Sequence, residues 1–313
     1  MKWFKTIRIW LRPEEAIALI FLVPFVWMVP YSGFVLRLHY LTSTSYFVPA
    51  LLIGMVVWLA QRSTQKAWRV VRDFLPFVVT VWMYENMHDV TAILHMRDKH
   101  QWLIAADEWL FCGVNPVVWT QRWVHPQLTN WMVAAYSTYY FYPPVLTMIL
   151  YRRGQMREFR DAILAIVLTF YIGFIGYVAV PALAPWITMR ERFSVDLQAS
   201  PLANEAYNLY TISHLEVARD CFPSLHTAIS LVALAFAWRY WRVFFWVVLP
   251  CVLALMVSTI YLRLHYVADV LAAMPLAIFS VWAAPRLNRW WICSAPPAPA
   301  SRLGQEPPAA PAA

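Results

Sequence analysis

The chain has 313 residues, of which 61% are hydrophobic and only 13% charged, and it carries a net charge of +8. Soluble domains run nearer half apolar and a quarter charged, so this composition excludes an ordinary soluble protein. Four cysteines in this length give no disulfide framework.

The apolar residues gather in eight runs, several of them the 17 to 25 residues that cross a bilayer as a helix. In chain order they cover 15–36, 44–60, 74–95, 129–151, 161–186, 222–238, 243–261 and 265–283. The first is longer than the apolar core of a signal peptide, with no small-residue cleavage site after it, and is expected to be retained. The 18 Trp and 16 Tyr suit a protein with two membrane–water interfaces to anchor. The fold expected is all-α, a polytopic bundle of about eight helices.

Orientation follows from the basic residues, because cytoplasmic loops retain Lys and Arg. With the N-terminus inside, alternation puts 17 of the 25 on the inner side and 8 on the outer side. Both termini are then cytoplasmic, and the net positive charge is explained without nucleic acid. Of the two long outer segments, 96–128 carries Trp102, Trp109, Trp119 and Trp123 and is expected to lie in the interface, while 187–221 carries five acidic residues. The Ala/Pro-rich end, 294–313, cannot bury a core and is expected to be disordered. Three regions result: 1–73 with the first two spans, 74–285 with the remaining six, and a tail from 286 to 313.

Ionisable residues near a membrane span are costly and point to function. In Cys221-Phe-Pro-Ser-Leu-His-Thr-Ala228, Pro223 suits the first position of a helix. His226 then falls in the first turn, where backbone N–H groups and the helix dipole favour an anion. In Tyr261-Leu-Arg-Leu-His-Tyr-Val-Ala-Asp269, His265 opens the last span and Asp269 follows four residues later on the same face. A carboxylate there can accept the Nδ1 proton, leaving Nε2 oriented as a nucleophile or base. Both spans start at the outer side, so His226, His265 and Asp269 converge. Two histidines, a carboxylate and nearby arginines suit phosphoryl transfer.

Pro223-Ser224-Leu225-His226 and Ser258-Thr259-x5-His265-x3-Asp269 resemble two signatures of the type 2 phosphatidic acid phosphatase superfamily. Two upstream stretches, Leu110-Phe-Cys-Gly-Val-Asn-Pro116 and Val180-Pro-Ala-Leu-Ala-Pro-Trp186, are similar to its inositol phosphorylceramide synthase-like (inositolphosphotransferase) branch. The resemblance covers roughly 75–285 and implies a six-helix catalytic core. It also implies a phosphohistidine on His265, oriented by Asp269, with His226 as acid to the leaving group, and no metal or other cofactor. Where many members have Gly and Arg, this chain has Leu225 and Thr259; Arg263 is the candidate to supply the missing charge. The literal match to a further signature, Lys5 to Pro13, lies on the wrong side of the membrane. Its replacements are sought among Arg190, Arg192 and Arg219, with Ser224 and Arg263 completing the candidate phosphate-binding group.

The third span carries Glu85, Asn86, His88 and Asp89 on one polar face. A Glu-x-x-His pair can hold a metal in a bundle, but no second such pair exists here, so a structural network or headgroup contact is the reading taken. Cys112 and Cys221 both fall in outer segments and are expected to be free thiols.

The expected function is a metal-independent enzyme that hydrolyses or transfers a lipid phosphate ester at the outer face, with membrane lipids as its surroundings and a lipid phosphate as its substrate. A bacterial inner membrane, with the site facing the periplasm, is the expected location. The alternative is a proton-coupled transporter or channel using the third span, although the interiors of the fourth, sixth and seventh spans hold almost no ionisable groups to relay protons.

Overall fold

The computed structural model describes residues 10–23, 44–85, 87, 97–212 and 219–293. It is an all-α bundle, with no strand among the described residues. Helices α1 (13–23), α2 (Thr44–Arg62) and α3 (Lys66–Glu85) form the N-terminal part. The outer segment contributes α4 (His100–Leu110) and the short α5 (Pro116–Trp119). Then come α6 (Pro126–Ser137), α7 (Tyr142–Arg152), α8 (Met156–Ala179), α9 (Pro185–Thr188) and α10 (Pro201–Ile212). The chain closes with α11 (Leu225–Tyr240), α12 (Arg242–Tyr261) and α13 (Val267–Cys293). Helices α8, α12 and α13 are each long and apolar enough to cross a membrane.

The fourth expected span is broken rather than continuous. Helix α6 ends at Ser137, a 3-10 turn covers Thr138–Tyr140, and α7 starts again at Tyr142. Pro143 and Pro144 explain the restart, since neither has an N–H to give to a preceding turn and each ring crowds the carbonyl four residues back. The fifth span stops early for a similar reason: α8 ends at Ala179, ahead of Pro181, and 181–184 are irregular.

A single apolar cluster runs from Ala18 to Ala284 and has α8, α11 and α13 at its centre. Side chains that point away from it, such as Val243, Trp246, Val247, Leu253 and Val257 of α12, stay exposed. An apolar surface of that extent is costly in water and is at rest in lipid. Helix α4 is amphipathic instead. Trp102 and Trp109, seven residues apart, are 66% and 81% exposed, while Leu103, Ile104 and Asp107 are buried. This is the pattern of a helix lying in the interface.

Basic residues mark one end of the bundle. Arg12 pairs with Asp73 at 2.6 Å, Arg72 with Glu15 at 2.6 Å and Arg160 with Glu14 at 3.0 Å, all with nearly buried carboxylates. These pairs tie α1, α3 and α8 together there. The region starting at Lys5 thus holds its Arg12 at the end opposite to His226 and His265.

Candidate active site

The site is assembled at the starts of α11 and α13. Helix α11 begins at Leu225, with Ser224 as its cap, the Ser224 side chain accepting from the Thr227 N–H. Pro223 therefore precedes the cap instead of opening the helix. The Ser224 N–H donates to the Asp269 carbonyl at 3.1 Å, which fastens the two helix starts to each other. Ser224 is fully buried, and its hydroxyl is also bonded to the Thr227 Oγ1 at 3.2 Å, so it belongs to the cap and not to the cleft wall.

Helix α13 begins at Val267, two residues later than expected. The reason is Asp107 of α4, whose carboxylate accepts the N–H groups of Val267 at 3.0 Å and Ala268 at 2.7 Å. A carboxylate from a distant helix thus caps the helix that carries Asp269. Burial pushes the Asp107 carboxyl up to about 6, despite those two N–H bonds.

His265 nevertheless meets Asp269 as the four-residue spacing predicts, with Nδ1 3.0 Å from Oδ2. Its Nε2 lies 3.3 Å from Nδ1 of His226, and Nε2 of His226 lies 2.8 Å from the Tyr136 hydroxyl. All three contacts are satisfied with both imidazoles neutral and protonated at Nδ1. The Tyr136 hydroxyl then donates to His226, His226 to His265, and His265 to Asp269. The rings of Tyr136 and Tyr139 flank His226 at 4.7 and 4.6 Å between centroids. Burial draws the His265 imidazolium down, but the Asp269 carboxylate and its hydrogen bond outweigh it, and the net shift is upward.

The loop between α12 and α13 holds this arrangement. The Thr259 carbonyl accepts the N–H groups of both Leu264 and His265 at 3.0 Å. Arg263 takes a positive φ of 61°, a left-handed conformation that costs a non-glycine residue about 1 kcal/mol or more. Its carbonyl accepts the Trp186 N–H at 2.9 Å, its guanidinium donates to the Val195 carbonyl at 2.5 Å, and it lies 3.9 Å over the Phe193 ring. The Tyr266 hydroxyl reaches the Leu183 carbonyl at 3.0 Å. Both upstream stretches come to this end: Asn115 caps α5, and Val117, Ala182, Cys221 and Tyr266 share one apolar cluster.

Leu225 fits at the start of α11 because α8 offers Gly173 opposite to it. A Cβ on Gly173 would stand 2.4 Å from Leu225 Cδ2, and one on Gly176 would stand 2.4 Å from Pro223 Cδ.

Tyr84, Tyr136, Trp186, Asp220, His226 and His265 line the cleft, whose free space is about 40 Å³, room for a few waters. None of the four candidate arginines is among its lining residues. Arg192 pairs with Glu108 at 2.6 Å, Arg219 pairs with Asp98 at 2.5 Å, and Arg190 is exposed. Two larger cavities, of about 710 and 940 Å³, lie at the other end among arginines and hold no histidine. The small cleft, and neither of these larger cavities, holds the candidate histidines.

Glu85 is the exposed last residue of α3, and Asn86, His88 and Asp89 lie outside the described residues, as does the 294–313 tail. Cys112 and Cys221 are free, with Cys221 buried and its thiol donating to Asp269 Oδ2 at 3.0 Å. Cys221, His265 and Asp269 are the group that, by spacing, could hold a metal ion among the described residues. Occupation there would take up His265 Nδ1 and Asp269 Oδ2, the two atoms now bonded to each other.

Sequence reasoning missed Tyr136, Tyr139, Asp220 and Asp107. Tyr136 and Tyr139 lie within the fourth expected span, 129–151, where nothing local marks them as neighbours of His226. Asp107 carried a signal, a carboxylate on the otherwise apolar face of α4.

The PAP2 superfamily family model matches residues 101–283. No curated protein and no solved structure matches the chain. The match takes in both histidine signatures, the upstream stretches and more than half of the sequence, and it coincides with the histidine–carboxylate geometry above. The chain is an integral membrane member of the PAP2 superfamily, a phosphatase-type enzyme.

Proposed function

We propose that the chain cleaves or transfers a lipid phosphate ester through a phosphohistidine on His265. The observation that carries this reading is the His265–Asp269 pair with Nε2 of His265 turned toward His226. Asp269 holds the Nδ1 proton, so the Nε2 lone pair attacks phosphorus. The P–O bond to the lipid breaks as the P–N bond forms, and the departing oxygen takes a proton from His226. That imidazole is neutral at rest and gains the proton from solvent when the substrate displaces its hydrogen bond to His265. In the second half His226 accepts the proton of water or an alcohol as that oxygen attacks phosphorus and the P–N bond breaks.

The two imidazoles now stand 3.3 Å apart, and a phosphate has to enter between them. A near-attack distance of about 3 to 3.5 Å followed by a hydrogen bond to the leaving oxygen requires a nitrogen–nitrogen gap of roughly 6 Å. The cleft as described is therefore a closed resting form, and the substrate exchanges the His226–His265 hydrogen bond for its own contacts. Arg219 adjoins the cleft-lining Asp220, and Arg263 stands two residues before His265. We assign the phosphate charge to these two. Arg190 and Arg192 remain as outer contacts on the same segment.

Acyl or prenyl chains fit the apolar surround. The finer assignment, to the inositol phosphorylceramide synthase-like branch with an alcohol acceptor, rests on the stretches 110–116 and 180–186. The arginine-poor end faces the periplasm of a bacterial inner membrane on the charge asymmetry.

The test is phosphate release by detergent-purified protein from phosphatidic acid, undecaprenyl pyrophosphate, and ceramide mixed with phosphatidylinositol, in EDTA. Release that survives EDTA and is lost in His265→Ala supports the phosphatase. A new phospholipid without released phosphate supports the transferase. Activity abolished by EDTA would favour a metal on Cys221, His265 and Asp269, and activity retained in His265→Ala would overturn the assignment.

A further inference from the structure

Far from the histidines, a groove of about 940 Å³ opens between α8, α11 and α13. Arg239 follows His226 by thirteen residues along α11, about 20 Å at 1.5 Å per residue. Arg286 follows Asp269 by seventeen along α13, about 25 Å. The groove mouth and the catalytic cleft therefore lie near opposite surfaces of a hydrocarbon layer about 30 Å thick.

The apolar part of the groove is formed by Leu231, Ala235, Met274, Ile278, Val281 and Trp282. Ile278 and Trp282 are 71% and 54% exposed, so the floor is open toward the side of the bundle. Arg157, Arg239, Arg286 and Arg289 stand at the mouth, against the two carboxylates of Glu158 and Asp161. Asp161 is already engaged, since its Oδ1 accepts from Asn288 Nδ2 at 2.7 Å. The Arg286 guanidinium lies 4.5 Å over the Trp282 ring and gives one N–H to the Trp282 carbonyl at 2.7 Å. Its other donors stay available at the boundary between the apolar floor and the charged mouth.

We propose that this groove binds one anionic phospholipid from the leaflet at the arginine-rich end. Its phosphate sits among Arg239, Arg286 and Arg289, and one acyl chain runs along the floor. The occupant has to be anionic at one end and apolar over the two to three helical turns that separate Arg239 from Leu231 and Arg286 from Met274. A soluble anion satisfies the mouth and leaves Ile278 and Trp282 uncovered. A peptide would carry its backbone polar groups into hydrocarbon. A phospholipid meets both demands, and basic pockets between spanning helices are where anionic head groups are held. The inference is independent of the reaction assigned to the histidines.

The experiment is native mass spectrometry of the full chain in neutral detergent, titrated with phosphatidylglycerol or phosphatidylcholine. Wild type is expected to retain one phosphatidylglycerol in preference to phosphatidylcholine. The variant Arg239→Gln/Arg286→Gln/Arg289→Gln is expected to bind it roughly 100-fold more weakly, at about fivefold per arginine. Ala235→Phe fills the floor and leaves every charge in place, and it is expected to weaken binding by about tenfold or more. Melting in phosphatidylcholine alone confirms that each variant is folded. Should the triple variant not fold, Ala235→Phe and the lipid preference of wild type decide the matter. Equal retention of the two lipids by wild type would overturn the proposal. So would unchanged affinity in Ala235→Phe, because arginines that merely attract anionic lipid do not sense the groove.

Discussion

In the proposed reaction His265 and Asp269 act as one unit, and the pair sets its pH behaviour. Nε2 has to be unprotonated to attack, so activity falls as pH drops through the raised His265 value. The acid limb of kcat/KM is expected above the ordinary imidazole value of about 6.5. Asp269→Asn removes the charge that raises it, and the limb should move to lower pH while kcat falls by about 10²- to 10⁴-fold. A pH–rate profile of both proteins checks this; a limb that stays in place would separate Asp269 from the titration. Tyr136 holds the other imidazole. Tyr136→Phe removes a single hydrogen bond, about 1 kcal/mol, and should lower kcat about fivefold with little change in KM, as read from initial rates. Of these groups the His-x3-Asp unit was visible in the sequence because four residues make one helical turn. Tyr136 was not, because it meets His226 across ninety residues.

Two features of the helices position that unit. Gly176 of α8 sits under Pro223 and the Phe222 carbonyl, so an added methyl meets a ring and a backbone atom that cannot step aside. Gly176→Ala should destabilise by about 1 to 3 kcal/mol through overpacking and displace the loop that leads into α11 and His226. Gly173→Ala meets only the end of Leu225, a side chain that can turn, and should cost less. Thermal melts with activity assays of the two variants distinguish them. Asp107 caps α13 from α4. With its carboxyl raised to about 6, the folded protein holds that proton more tightly than the unfolded chain, whose value is about 3.9. The carboxyl's contribution to stability is therefore greatest below about pH 4 and is lost as pH rises through 6. Asp107→Asn should abolish that slope in Tm between pH 4 and 6, while Asp107→Ala should cost about 1 kcal/mol at the cap. The α4 helix itself was legible as an aromatic interfacial segment, but its capping partner was not.

Across the whole molecule, the polarity of the bundle follows from charge. The paired arginines of α1, α3 and α8 and the groove proposed to hold lipid occupy one end, and the histidines and α4 occupy the other. Cys112 is exposed at the histidine end and Cys293 at the arginine end, while Cys221 is buried. A membrane-impermeant maleimide applied to intact cells should label Cys112 and spare Cys293, with lysed cells labelled at both. The reverse pattern would invert the proposed orientation. Asp73, Glu14 and Glu15 make the arginine end rigid, since removing one member of a buried pair strands its partner's charge.

The sequence by itself determined the all-α membrane class, the basic asymmetry and the helical spacing that pairs His265 with Asp269. Those properties are local: apolar run length, side-chain charge and the pitch of a helix are all readable within a few turns of chain. Only the tertiary structure decided that His226 and His265 rest against each other, that Asp107 starts α13, that Gly173 makes room for Leu225, and that Arg192 and Arg219 are paired with Glu108 and Asp98. Those contacts join residues 39 to 161 positions apart, and no periodicity within a segment encodes which distant segment packs against it.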